Sequence, residues 1–322
     1  MEIRKLQLIG GSSYMISLPK SWIKANKLNQ GDELILQVDR YAIKIYPRKI
    51  SNDIIKVEVN EIPRQDDKFL RRFIYALYIQ GLDEITILKD NLSQEAIAKI
   101  GEIVRNLIGM EIIDVTDSKI VMRCLTTDFD VLDVLKRMGQ IICEMINLIE
   151  DHLKDKNGSI IDIISKLEED TDRFYLLTIR LEHRKLRKIP CPVNLDEMKQ
   201  LLGVRIVAKL LEEIADSLYD IPITLNNNRL DKEHEHSILL PLLLEFKKIF
   251  RYVLDAYFSN NIFNCEDAIE KVEDLEHKIT KIRTKVEASK LAIDSLLEAC
   301  RYTKSIGEIA FNKAVREVFI EY

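Results

Sequence analysis

Residues that usually carry chemistry are scarce in this 322-residue chain, which has five cysteines, five histidines, ten glycines and one tryptophan. Cys124, Cys143, Cys191, Cys265 and Cys300 are scattered, odd in number and never spaced as CxxC. That excludes a disulfide framework and thiolate zinc sites, and implies reduced thiols in a cytoplasmic protein. No GxGxxG or GxxxxGK[ST] phosphate loop occurs, and no GxSxG or HExxH, so no familiar catalytic apparatus is present and the chain reads as a non-enzyme. No apolar run approaches the ~18 residues of a membrane span, and no secretory signal pattern opens the chain. Membrane insertion is therefore not expected. What is present is 47% hydrophobic and 31% charged, typical of a folded globular protein. The length suggests two or three domains.

Residues 1–49 organise the remainder. Ile3 to Ile9 and Tyr14 to Leu18 have strand character, and Gly10-Gly11-Ser12-Ser13 between them permits a tight reversal. Pro19 suits the first position of a short helix over Lys20 to Asn26. After a turn at Asn29-Gln30-Gly31-Asp32, Glu33 to Val38 and Tyr41 to Tyr46 form a second pair of strands reversed at Asp39-Arg40. So short a unit cannot comfortably bury its own core and contains no Cys or His to brace it, so a partner chain is the simplest remedy. The alternating Ile3, Leu6, Leu8, Met15, Ile16, Leu18, Leu34 and Leu36 are candidates for burial between two copies. Charge points the same way. Residues 1–50 hold nine Lys and Arg against Glu2, Asp32, Glu33 and Asp39, a net of +5 in a chain of net −5, which leaves −10 for the rest. A basic head on an acidic body fits nucleic-acid contact.

The run G-G-S-S-Y-M-I-S-L-P-K-S-W-I followed by L-N-Q-G-D-E-L resembles the AbrB/MazE/SpoVT family of swapped-hairpin DNA-binding domains. The resemblance implies an interlocked homodimer whose basic loop-and-strand face meets double-stranded DNA. Arg4, Lys5, Ser12, Ser13, Lys20 and Lys24 are the candidate contacts, with Arg40 and Lys44 as outlying ones.

Residues 50–125 read as a small α/β connector in the order β-α-β-α-β-β: strands at Ile54 to Val59 and Glu84 to Leu88, helices over Asp67 to Gln80 and from the N-cap Ser93 to Leu107, then a hairpin turned at Asp117-Ser118. It carries no chemistry and is expected to space and orient the head. The basic run Arg64, Lys68, Arg71 and Arg72 reads as a solvated face. Beyond Cys124 helical periodicity takes over. Residues 126–322 are expected to form two three-helix bundles, 126–222 and 231–322, with Ile221-Pro222 in the linker and Pro241 kinking the fourth helix or moving its start. The fold class is thus multidomain α+β: a β-rich head, a connector and an all-α body.

The body carries acids four residues apart, which share a helix face. Glu168 and Asp172 lie on its second helix, Glu212 and Asp216 on its third, and Glu270 and Asp274 on its fifth. Converging carboxylates repel unless a cation joins them, and an all-oxygen set suits Mg²⁺, Mn²⁺ or iron. Glu168, Asp172, Glu212 and Asp216, with Glu169 as an accessory, are therefore candidate ligands for divalent or ferric ions. The paired trios, the repeated ExxxD, the segment E-D-T-D-R-F-Y-L-L and the run S-L-L-E-A-C-R-Y-T-K-S-I-G-E-I-A-F-N resemble the PhoU family of phosphate-uptake regulators. This resemblance implies bundle-face metal clusters, dimerisation and control of phosphate transport. An AbrB-like head before a PhoU-like body matches a domain order typical of archaeal phosphate-uptake regulators. In the second bundle Leu297 and Arg301 stand where the first has Glu212 and Asp216, so Arg301 is expected to neutralise Glu270 and Asp274 without metal. The leading expectation is a DNA-binding regulator of phosphate uptake. The alternative is a peripheral adaptor on a phosphate transporter or signalling protein, with the head used to dimerise. A MazE-like antitoxin ranks below both, because the body has the apolar stripes of a folded bundle rather than a disordered tail.

Overall fold

The computed structural model describes residues 2–39, 42–48, 54–90, 92–125, 129–155, 160–187, 195–227, 232–284 and 290–319. Its contacts divide the chain into two units, one led by Met1–Ile54 and the other made of Ile55–Lys185 and Leu195–Tyr322.

In the first unit β1 (Gln7–Ile9) pairs antiparallel with β2 (Ser13–Met15), Ile9 lying opposite Ser13. Gly10 and Gly11 take φ of 62° and 78°, left-handed values that a side chain would resist. Pro19 stands at the N-cap of α1 (Lys20–Ala25) rather than at its first turn, and Asn26 closes the helix by donating Nδ2–H to the Trp22 carbonyl at 2.9 Å. Asp32 Oδ2 accepts from Asn29 N–H at 2.8 Å to fix the next turn. There β3 (Leu34–Asp39) begins, and it pairs with β4 (Ala42–Pro47) from Leu34↔Pro47 to Asp39↔Ala42. The Arg40 reversal lies outside the described residues. The first strand pairs over three residues rather than the seven expected. Among the described residues the two hairpins are separate two-stranded sheets, and such hairpins are marginal alone. Their apolar side chains are uncovered: Ile3 is 93% exposed, and Leu6, Leu8, Met15, Ile16 and Leu36 are each more than half exposed.

The second unit opens with the connector. β5 (Lys56–Val59) runs parallel to β6 (Glu84–Leu88) through the crossover helix α2 (Asp67–Ile79). After α3 (Gln94–Arg105) the chain returns as β7 (Met110–Val115) and β8 (Lys119–Cys124), giving the order β5-β6-β8-β7. Asp66 and Ser93 cap the two helices by accepting from the N–H groups of Phe69 and Ala96, each at 3.1 Å. Ile85, Ile87, Ile120 and Met122 of the sheet bury against Leu70, Ile74, Ile100 and Val104 of the helices.

The body is made of α4 (Val131–Asp155), α5 (Ile161–Arg187), α6 (Leu195–Asn227), α7 (Lys232–Ser259), α8 (Ile262–Arg283) and α9 (Lys290–Phe319). One apolar core runs through both trios, from Met138 and Ile142 of α4 past Leu211 of α6 to Phe246 of α7, Val272 of α8 and Leu296 of α9. The linker expected at Ile221-Pro222 is helical, since α6 continues through Pro222. A proline inside a helix costs roughly 3 kcal/mol, while each fully buried Ile or Leu returns about 1.5–3 kcal/mol. Ile221 (0% exposed) and Leu225 (4%) bury together there, and packing wins. Likewise α7 starts at Lys232 and runs through Pro241.

The connector is more than a spacer, because α5 docks on the C-terminal end of α2. Arg180, 1% exposed, donates to the Tyr78 carbonyl at 2.6 Å and the Leu82 carbonyl at 2.5 Å, its guanidinium 4.7 Å from the Tyr78 ring centre. His183 Nδ1–H donates to the Ile79 carbonyl at 2.6 Å, and Arg184 pairs with Asp83. His183 meets the Ile79 carbonyl at the helix end, Arg180 adds to the Gly81 N–H that the Tyr78 carbonyl already accepts at 3.1 Å, and the cations complement the helix dipole. Gly81 permits the approach: at φ 74°, a Cβ there would lie 2.8 Å from Arg184 Cγ and 3.1 Å from Arg184 N.

Candidate functional site

In the head, Arg4, Lys5, Ser12, Ser13, Lys20 and Lys24 are all exposed. The hairpin reversal presents the two serines, and α1 presents Lys20 and Lys24 four residues apart. Arg4 pairs with Glu2, whereas Lys5, Lys20 and Lys24 form no ion pair among the described residues. Their charge is available to a phosphate backbone. In the connector, Arg64 is engaged with Asp66 at 2.8 Å and stacks 5.7 Å from the Phe69 ring centre.

In the body, α5 and α6 do bring their carboxylates together. Thr171 of α5 is buried with its hydroxyl on the Leu167 carbonyl at 3.0 Å. Leu211, Ile214 and Ala215 anchor α6 in the core. Glu168 and Asp172 then flank Thr171, while Glu212, Glu213 and Asp216 flank the α6 anchors. Carboxylate oxygens of Glu168, Asp172 and Asp216 lie within 4.8 Å of one another, as do those of Glu212, Glu213 and Asp216. Glu169 is exposed and stands outside both groups, acting only through its charge on Glu168 and Asp172. Spacing of i, i+4 does not single out Glu213, which precedes Asp216 by three and so also shares its face. Nor does that spacing single out Lys209. Its ammonium pairs with Glu212 and with Glu213 at 2.9 Å, 5.5 Å from the Tyr175 ring centre.

Lys209 therefore balances one half of the cluster and leaves the other short of positive charge. Burial, reinforced by Asp172 and Asp216, pushes Glu168 up to about 7. Burial and Glu212 raise Asp172 to about 6, against the opposing pull of Lys209. Burial, Glu212 and Asp172 raise Asp216 to about 7. Three half-buried oxygens reluctant to ionise beside one another form a donor set that fits a hard cation, which would displace their protons.

The second trio differs, and the expected pairing there is corrected. Glu270 and Asp274 are exposed. Arg301 instead pairs with Glu276 at 2.9 Å and Lys304 with Glu273 at 2.6 Å. Burial of Val272, Leu275 and Ile279 turns Glu273 and Glu276 toward α9 and Glu270 and Asp274 toward water. This face is neutralised by two cations, and it contributes no carboxylate cluster among the described residues.

A small, uncovered, partly basic hairpin unit thus precedes, in the sequence, a helical body with an acidic face, and two known families match along the chain. The family model for antidote-toxin recognition MazE, bacterial antitoxin, matches residues 7–53, and the PhoU domain model matches residues 135–222. The chain is thus similar to a MazE/AbrB-type domain over residues 7–53 and to a PhoU domain over residues 135–222. Both are regulatory or adaptor types. The PhoU match covers most of the first trio and stops before α7. No curated protein matches the chain. Among the described residues no helix is long and apolar enough to cross a membrane.

Proposed function

We propose that the protein is a homodimeric, DNA-binding regulator of phosphate uptake in the cytoplasm. Its working parts are a head over residues 1–49, a connector over 50–125 and a PhoU-type body over 126–322. The observation that carries this reading is the coincidence, within one small unit, of uncovered apolar hairpins and unpaired lysines. Two copies would cover the first and present the second to double-stranded DNA. The body would hold a divalent or ferric ion between Glu168, Asp172 and Asp216, shaping the surface that receives a signal or partner.

A second reading has its own observation. Met198, Leu202 and Ile206 of α6 follow one another at four-residue spacing and are 38%, 57% and 53% exposed, a stripe suited to a protein partner. On that reading the chain is an adaptor touching a phosphate transporter component, and the head only dimerises.

Leu8→Glu combined with Leu36→Glu tests the dimer. Each places a charge where an apolar side chain would be covered, at a cost of several kcal/mol per buried charge. The parent should sediment as a dimer at micromolar concentration and the variant as a monomer that no longer retains duplex DNA. A monomeric parent, or a variant that stays dimeric and retains DNA, contradicts the assignment. A dimeric parent that ignores DNA selects the adaptor reading.

A further inference from the structure

The strongest unassigned feature lies far along α9 from the acidic cluster. Ile306, Ala310 and Ala314 bury along one face of α9, and Lys313 is set among them at 7% exposure. Its ammonium donates to the Tyr257 carbonyl at 3.1 Å and sits 4.7 Å from the Tyr257 ring centre. Among the described residues no carboxylate pairs with it. Lys313 opens onto a pocket of about 90 Å³, lined also by Gln200 and Gly203 of α6, Ile309, Asn312 and Arg316 of α9, and Tyr257 of α7. Two cations and two side-chain amides thus turn toward one space, with no acid in its wall among the described residues.

We propose that this pocket binds a small oxyanion, of which inorganic phosphate is the probe, through Lys313 and Arg316 with Gln200 and Asn312 as neutral donors. A buried ammonium is costly unless an anion joins it. Burial does pull the Lys313 pKa below the ordinary lysine value, and Arg316 adds to this while the exposed Glu317 opposes it. Capping the C-terminal end of α7 accounts for one of the three Lys313 donors. It leaves unexplained why Arg316, Asn312 and Gln200 share the same space. Size selects the ligand class. At ~30 Å³ per water the pocket holds about three waters, room for one small ion, whereas pockets that enclose drug-sized ligands run to ~300–1,000 Å³. Gly203 keeps the α6 wall low, its nearest neighbour for an added Cβ being Ile309 at 3.9 Å.

The test is equilibrium binding of labelled phosphate to the full chain after chelator treatment, at ionic strength held constant with chloride. One saturable site per chain is expected, with sulfate competing and adenosine monophosphate failing to compete. Lys313→Met should weaken binding by at least tenfold when compared below its own melting temperature, which loss of the Tyr257 carbonyl contact should lower. Arg316→Gln, at a partly exposed position, should also weaken binding tenfold and carries the test if Lys313→Met does not fold. No saturable phosphate binding, or full binding by either variant, overturns the proposal. The inference rests on this pocket alone, so a chain that retains DNA and metal while ignoring phosphate overturns it and leaves the proposed function standing.

Discussion

Arg180→Met should destabilise the connector–body unit by about 2–4 kcal/mol, among the largest losses available to a single side chain outside the apolar core. The methionine keeps the aliphatic stem but removes both donors, leaving the Leu82 carbonyl without its donor while the Tyr78 carbonyl keeps the Gly81 N–H at 3.1 Å. An orphaned buried acceptor costs about 1–3 kcal/mol, and loss of the stacking on Tyr78 adds roughly 1 kcal/mol. Arg184→Met should cost less than half as much, because its ion pair with Asp83 is 19–24% exposed. Urea unfolding followed by far-ultraviolet circular dichroism is the appropriate measurement. The single tryptophan, Trp22, lies in the head and does not report on this unit. A loss below about 1 kcal/mol would mean that the α5–α2 contact is replaceable by water.

Asp172→Asn with Asp216→Asn should reduce metal retained by chelator-free protein to background, while Asp274→Asn, on an exposed face, should retain the parent amount. Two of three converging anionic oxygens are lost in the first case and none in the second. The same groups set a pH dependence. Unfolded carboxylates release their protons near 4, whereas Glu168, Asp172 and Asp216 hold theirs to about 7, 6 and 7. Between those limits the metal-free fold binds more protons than the unfolded chain. Its stability from these groups is complete below about 4 and is lost as pH rises to about 7. Metal competes with the protons, so added Mg²⁺ or Mn²⁺ should raise the melting temperature more at pH about 7.5 than at about 5. The double variant should lose most of both effects. Equal metal content in parent and double variant, or a metal shift independent of pH, would reduce the site to a wet acidic face.

The head and the connector were legible because their signals are local. Gly10-Gly11, Pro19 and Ser93 are turn and cap residues with one conformational use each, and the strands between them alternate. The helical body was legible in its periodicity but not at Pro222, where core burial of Ile221 and Leu225 overrides a local helix breaker. The carboxylate cluster was half legible. Four-residue spacing found Glu168, Asp172, Glu212 and Asp216 but not Glu213 or the counter-ion Lys209, since the facing of α5 and α6 is set by the core. It also chose the wrong face of α8. Arg180 and Lys313 were invisible, as a charged residue within a helical sequence reads as solvated until tertiary packing buries it.

The salt dependence of duplex-DNA binding by the full chain tests the central claim most directly. Each phosphate neutralised contributes about −0.9 to the slope of log K against log salt. Two protomers using three basic residues each should give a slope near −5, so affinity should fall about 10³-fold for a fourfold rise in salt. Lys20→Gln with Lys24→Gln removes four charges from the dimer and should flatten the slope to about −2. A parent slope between 0 and about −1, or no retention on duplex DNA at low salt, would contradict a DNA-binding head.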